Sequence, residues 1–284
     1  MTASLLRIRR GHRPGRARST LDSMPGHASV SDRGDIDMKI ALITDIHANR
    51  EAFEACLEQA HLHGADRIAL LGDFVGYGAD PAWVVTMVQD LVAQGAIAVR
   101  GNHDDAVAGE PNPNLVEDAR RAIEWTRAQL SAEQLDFLGR LPMRREEFGC
   151  LFVHANAWAP AGWEYILGRN EAVRSMMATD CRHTFCGHVH QPALYHLSSV
   201  GKIANFSPVP GVAVPVPGHR QWLAIAGSAG QPRDGNPAAA WAMFDLGRQT
   251  LTFHRVPYDH EATAAKIIAA GLPRALGERL LVGA

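Results

Sequence analysis

Five short, mainly apolar runs punctuate this chain, at residues 40–44, 67–71, 96–99, 151–153 and 184–186. The runs are unbroken rather than alternating, as expected of strands covered on both faces. Helical patterns separate the first three. Asn49 stands as a cap before 51–61, where Phe53, Cys56, Leu57 and Ala60 form an apolar stripe, and Pro81 opens a second helix over 82–93. Strand and helix alternate three times with short connections, which predicts a layered α/β domain with neighbouring strands parallel. Helices are also expected over 114–129, over 131–141 with Ser131 as cap, and over 171–178. Residues 155–169 fit no regular element and are read as a lid or wall. The remainder is β-rich, with strands near 193–197, 222–226, 239–244 and 250–256, the last two joined at Asp245-Leu246-Gly247-Arg248. A weakly amphipathic helix and tail are expected over 261–284.

Each apolar run leads into residues that are polar and chemically specific. The first ends in Asp45-Ile46-His47, the second in Gly72-Asp73, the third in Gly101-Asn102-His103-Asp104, the fourth in His154, and the fifth in Gly187-His188-Val189-His190. The carboxyl ends of strands are where α/β sheets place ligand sites, and residues two apart on an extended chain point the same way. Read singly, each is ordinary: Asn-His-Asp makes turns, Asp45 starts a helix, His154 fits a core. Read jointly, Asp45, His47, Asp73, Asn102, His154, His188 and His190 are candidate metal ligands. Nitrogen and oxygen donors without thiolate suit manganese, iron, zinc or cobalt better than calcium or magnesium. Seven ligands exceed one ion's needs, and a shared carboxylate would hold two ions about 3.5–4 Å apart.

Bulk composition narrows the picture further. At 284 residues and 46% hydrophobic, the chain can bury one large core, and a formal charge of −2 offers no basic surface for nucleic acid or membrane. The four cysteines form no C-x-x-C pair, so free thiols and a cytoplasmic location are expected. Residues 1–37 differ from the rest, with Arg7, Arg9, Arg10, Arg13, Arg16 and Arg18 preceding any acidic residue. They are expected to be a disordered basic extension. A transit peptide and a phosphate-touching arm are alternatives to a dispensable tail ahead of Met38. The domain is expected to span 38–259, with a C-terminal helix and tail over 260–284.

Asp-x-His, Gly-Asp, Gly-Asn-His-Asp, a lone strand-end histidine and Gly-His-x-His, in that order, resemble the calcineurin-like metallophosphoesterases. Gly72-Asp73-Phe74-Val75-Gly76-Tyr77-Gly78 and Gly230-Gln231-Pro232-Arg233-Asp234-Gly235 look like its small bacterial phosphodiesterase (YfcE-like) branch. One departure is Ile225-Ala226 before Gly227-Ser228, where relatives carry Asn-Pro. The resemblance implies a four-layer α/β/β/α sandwich of two packed mixed β-sheets. It also implies two divalent ions, manganese ahead of iron, zinc, nickel or cobalt. Asp45, His47 and His190 would hold the first, Asp73 both, and Asn102, His154 and His188 the second. His103 would face the substrate as general acid, steered by Asp104, after attack by a metal-bridging hydroxide.

Protein phosphatases of this superfamily carry clamping arginines after Gly-Asp and after Asn-His. Here Phe74-Val75-Gly76-Tyr77-Gly78 and Asp104-Asp105-Ala106 stand in those places, which favours a singly charged phosphodiester, with Arg50 and Arg233 as partial substitutes. A phosphomonoesterase of protein phosphatase type and a non-catalytic metal-dependent scaffold are the alternatives. The expected partner is a small phosphodiester, with no membrane, nucleic acid only as substrate, and a homo-oligomer allowed.

Overall fold

The computed structural model describes residues 37–109 and 117–284, so the basic extension and the start of the helix expected at 114 lie outside the described residues. In chain order the elements are β1 (Lys39–Ile43), α1 (Arg50–Leu62), β2 (Arg67–Leu70), α2 (Pro81–Ala93), β3 (Ile97–Ala98), α3 (Asn102–Ala108), α4 (Glu117–Gln129) and α5 (Ala132–Arg140). They continue as β4 (Arg144–Glu147), β5 (Cys150–Val153), α6 (Arg169–Met177), β6 (His183–Cys186), β7 (Ala193–Leu197), β8 (Ile203–Phe206) and β9 (Ala213–Pro215). The chain ends with β10 (Gln221–Ile225), β11 (Ala239–Asp245), β12 (Thr250–Val256), α7 (His260–Ala269) and α8 (Arg274–Val282).

Two six-stranded mixed sheets result, ordered β3-β2-β1-β11-β12-β9 and β4-β5-β6-β10-β7-β8. β1, β2 and β3 run parallel, as do β5, β6 and β10, while β11 turns the first sheet antiparallel. The unbroken apolar runs have a simple cause. On β1, Ile40 and Leu42 face the second sheet, whereas Ala41 and Ile43 face Phe53, Val84 and Val88 of the helical layer. On β5, Cys150 and Phe152 point between the sheets, and Leu151 and Val153 point toward α6. The order α1/α2, sheet, sheet, α6 is the four-layer α/β sandwich.

Several elements depart from the sequence pattern. Asn102, His103 and Asp104, which read as a turn, form the first turn of α3. Charged β4, Arg-Arg-Glu-Glu, pairs with β5 across Phe148-Gly149, both at positive φ, as a two-residue hairpin turn requires. β8 and β9 are short edge strands beyond the predicted set. The C-terminal segment is two helices rather than one helix and a tail. Ile267, Leu272, Leu276 and Leu280 pack together with Tyr77 and Ala79, and Lys266 pairs with Glu51 of α1 and Asp80. No helix among the described residues is long and apolar enough to cross a membrane.

Candidate metal centre

All seven candidate ligands meet at the carboxyl ends of β1, β2, β3, β5 and β6. Asp45, His47, Asp73 and His190 bring ligand atoms together in one group, and Asp73, His154 and His188 in a second. Asp73 belongs to both: its Oδ2 lies 3.7 Å from His47 Nε2 and 3.4 Å from His154 Nε2. Asn102 Oδ1 joins the second group, 3.0 Å from His154 Nε2.

The protons around this cluster are assigned by their partners. A carbonyl oxygen can only accept, so a ring nitrogen facing one carries hydrogen. His47 Nδ1 donates to the Val75 carbonyl at 3.2 Å, His190 Nδ1 to Gln231 at 2.6 Å, and His154 Nδ1 to Leu71 at 2.7 Å. His188 is turned the other way, its Nε2 donating to Trp163 at 2.9 Å. In each ring the opposite nitrogen is directed at the cluster, as in histidines that bind metal. His47 Nε2 and His190 Nε2 stand 3.1 Å apart, and His190 Nε2 is 3.2 Å from Asp45 Oδ1. Imidazole nitrogens and carboxylates converging in a buried pocket fit a cation and little else.

The backbone is bent to achieve this. Asp45, His47, Asp73, His188 and His190 all have φ between 50° and 68°, a left-handed region costly for residues with a Cβ and typical of functional sites. The loops carrying them pack so closely that only glycine fits at two seams. A Cβ on Gly187 would collide with Thr44 and Asp45, and one on Gly230 with the Ile46 carbonyl. The late loop locks the site further. Ser228 Oγ donates to the Asp45 carbonyl at 2.8 Å and Asn49 Nδ2 to Gly230 at 2.8 Å. These bonds form with Ile225-Ala226 in the place of Asn-Pro.

Burial and charge set the titration of the cluster. Asp73 is opposed by burial but held well below the ordinary carboxylate range by His154, His103 and His47. Burial pulls His154 down, yet Asp73, Asp45 and the Leu71 carbonyl raise it to about 9. Burial and His154 push His188 down to about 4.

Asp104 does something other than steer His103. Its Oδ2 accepts from the amides of Asp73 and Gly101, both at 2.9 Å, and its Oδ1 from Phe74 at 2.9 Å and Val75 at 3.3 Å. It ties two ligand-bearing loops together, while His103 Nδ1 is buried with no hydrogen-bond partner. What orients the His103 ring is packing: Tyr77 at 4.4 Å and His47 at 4.9 Å between centroids, with Gly76 leaving room. Tyr165 stacks on His188 at 4.0 Å and 9°. No sequence signal marks the carbonyls of Leu71, Val75, Trp163 and Gln231 as acceptors. Arg50 is turned away, bonded to Glu54 at 3.2 Å and over Trp83.

Residues 38–249 match the family model described as the calcineurin-like phosphoesterase superfamily domain. An uncharacterised protein of Methanocaldococcus jannaschii is 35% identical over 254 residues, 86% of this chain and 98% of that one. The crystal structure of a metallophosphoesterase from Sphaerobacter thermophilus superposes with a TM-score of 0.77 at 37% identity, over 87% of this chain and 99% of that one. A hypothetical protein from Pyrococcus horikoshii shares the fold at a TM-score of 0.70 and 18% identity, with the same coverage of both chains.

Proposed function

The chain belongs to the calcineurin-like phosphoesterase superfamily, and from that premise we propose that it is a dinuclear metal-dependent phosphodiesterase. The observation that carries the reading is Asp73 Oδ2, which faces both ligand groups at once. Asp45, His47, Asp73 and His190 would hold one ion, and Asp73, Asn102, His154 and His188 the other, with manganese the favoured metal. When bound, such ions supply Lewis acidity toward the phosphate and lower the pKa of a water toward neutrality.

The chain's own residues do the rest. The four histidines tie one ring nitrogen each to a backbone carbonyl, so the nitrogen turned to the inner face is the one an ion would take. His103 sits beside the cluster at the less buried end of the site, its backbone N–H held by Asp73 Oδ1 at 2.8 Å. From there its ring gives a proton to the departing alkoxide, a contribution of about 10²–10⁴-fold. The positions that carry clamping arginines in the superfamily's protein phosphatases hold Phe74-Val75-Gly76 and Asp105-Ala106. A doubly charged monoester gains most from such clamps, so their loss favours a diester.

Turnover of bis-p-nitrophenyl phosphate against p-nitrophenyl phosphate, by manganese-loaded protein, tests the proposal. Preference for the diester supports it, preference for the monoester indicates a phosphatase, and no turnover of either indicates a scaffold.

A further inference from the structure

Of the two arginines that the sequence offers as clamp substitutes, Arg233 alone lies at the site. Its backbone follows the loop that orients His190, with the Arg233 N–H donating to the His190 carbonyl at 3.3 Å. Its guanidinium reaches back over the site: Cζ lies 5.9 Å from the centre of the Tyr77 ring, which in turn touches His47 and His103.

The guanidinium is aimed but not neutralised. Gln231 Oε1 accepts from its Nε at 3.2 Å and its Nη2 at 2.8 Å, which fixes the plane of the fork. The neighbouring carboxylate, Asp234, is drawn away into a pair with Arg255. Among the described residues, no carboxylate pairs with Arg233. A half-buried arginine held flat by a neutral amide, with no carboxylate of its own beside a candidate two-cation centre, is arranged to receive an anion from outside the chain.

Resting on the phosphoesterase reading above, we propose that Arg233 clamps a non-bridging oxygen of the substrate phosphate. A single fork without a counter-ion matches the one negative charge of a diester. It supplies from the late loop what the superfamily's phosphatases take from the Gly-Asp and Asn-His loops. Gln231 is then a positioning residue, holding the fork through its side chain and His190 through its carbonyl.

The test uses manganese-loaded wild type, Arg233→Ala and Arg233→Lys, with metal analysis, calorimetric binding of inorganic phosphate, and kinetics on bis-p-nitrophenyl phosphate. We expect wild-type metal content in both variants, phosphate binding weaker by about 10- to 100-fold, a raised KM, and partial rescue of Arg233→Ala by added guanidinium. Phosphate binding within about threefold of wild type in both variants overturns the clamp. So does loss of metal, which would make Arg233 a brace for the His190 loop. If wild type cleaves no diester while Arg233→Ala still loses phosphate affinity, the clamp stands and the diesterase reading falls.

Discussion

His47 and His190 face each other through their Nε2 atoms across 3.1 Å, each ring having committed its other nitrogen to a carbonyl. Facing lone pairs repel, and a shared cation turns that repulsion into coordination. The metal-free protein should therefore be markedly less stable than the loaded one. Manganese at about a thousand times its Kd should add about 4 kcal/mol, read calorimetrically as a Tm that falls on adding chelator. A Tm indifferent to chelator would speak against a cation site.

Asp73→Asn should empty at least one metal position, because the same oxygen serves both groups and an amide carries no charge. Elemental analysis decides it, and full occupancy of both positions would refute the shared carboxylate.

His103→Ala should keep its metal and lose about 10²–10⁴-fold in kcat on diesters with alkyl leaving groups. The loss should be smaller with p-nitrophenolate, which leaves without a proton. An equal loss on both substrates would remove the acid role, and a metal-free variant would make His103 a ligand.

Asp104→Ala should cost about 3–5 kcal/mol in urea melts, since four buried amides lose their acceptor together. Asp104→Asn should recover only part of that, because its NH₂ group would face two of the amide donors. A wild-type urea midpoint in both variants would mean that the loop tie is not needed for stability.

Metal affinity of the metal-free protein should rise with pH up to about 9. His154, raised to about 9, carries a proton on the nitrogen that an ion requires, whereas His188, lowered to about 4, is already free. Below pH 9 the apparent affinity should fall about tenfold per pH unit, with one proton released on binding. Titration calorimetry at several pH values, in buffers of different ionisation enthalpy, reads this directly, and a flat profile would contradict it.

Much of this architecture was legible in the sequence because local pattern and tertiary role agree. The runs ending in Asp45-Ile46-His47 and Gly187-His188-Val189-His190 are apolar on both faces because both faces are covered, and their ligands sit at strand ends. Asn49 and Pro81 mark helix starts by local hydrogen bonding and φ. Where the partner is distant, the signal vanishes. Nothing near Asp104 reveals that its oxygens serve Asp73, Phe74 and Val75 on another loop. β4 is a strand because β5 pairs with it, not because Arg-Arg-Glu-Glu favours one. The two C-terminal helices are only weakly patterned, because part of their packing surface belongs to Tyr77, Ala79 and α1.

β1 opens the described domain yet is flanked on one side by β11, and Asn49 is bonded to Gly230, 181 positions downstream. During synthesis, therefore, the earliest ligands emerge long before the strand and loop that complete their surroundings. A nascent chain halted before residue 230 would expose one edge of its central strand and leave His190 without its carbonyl anchor. Ion capture should thus be among the last events of maturation, and ribosome-bound fragments should gain protease resistance only once β11 is out.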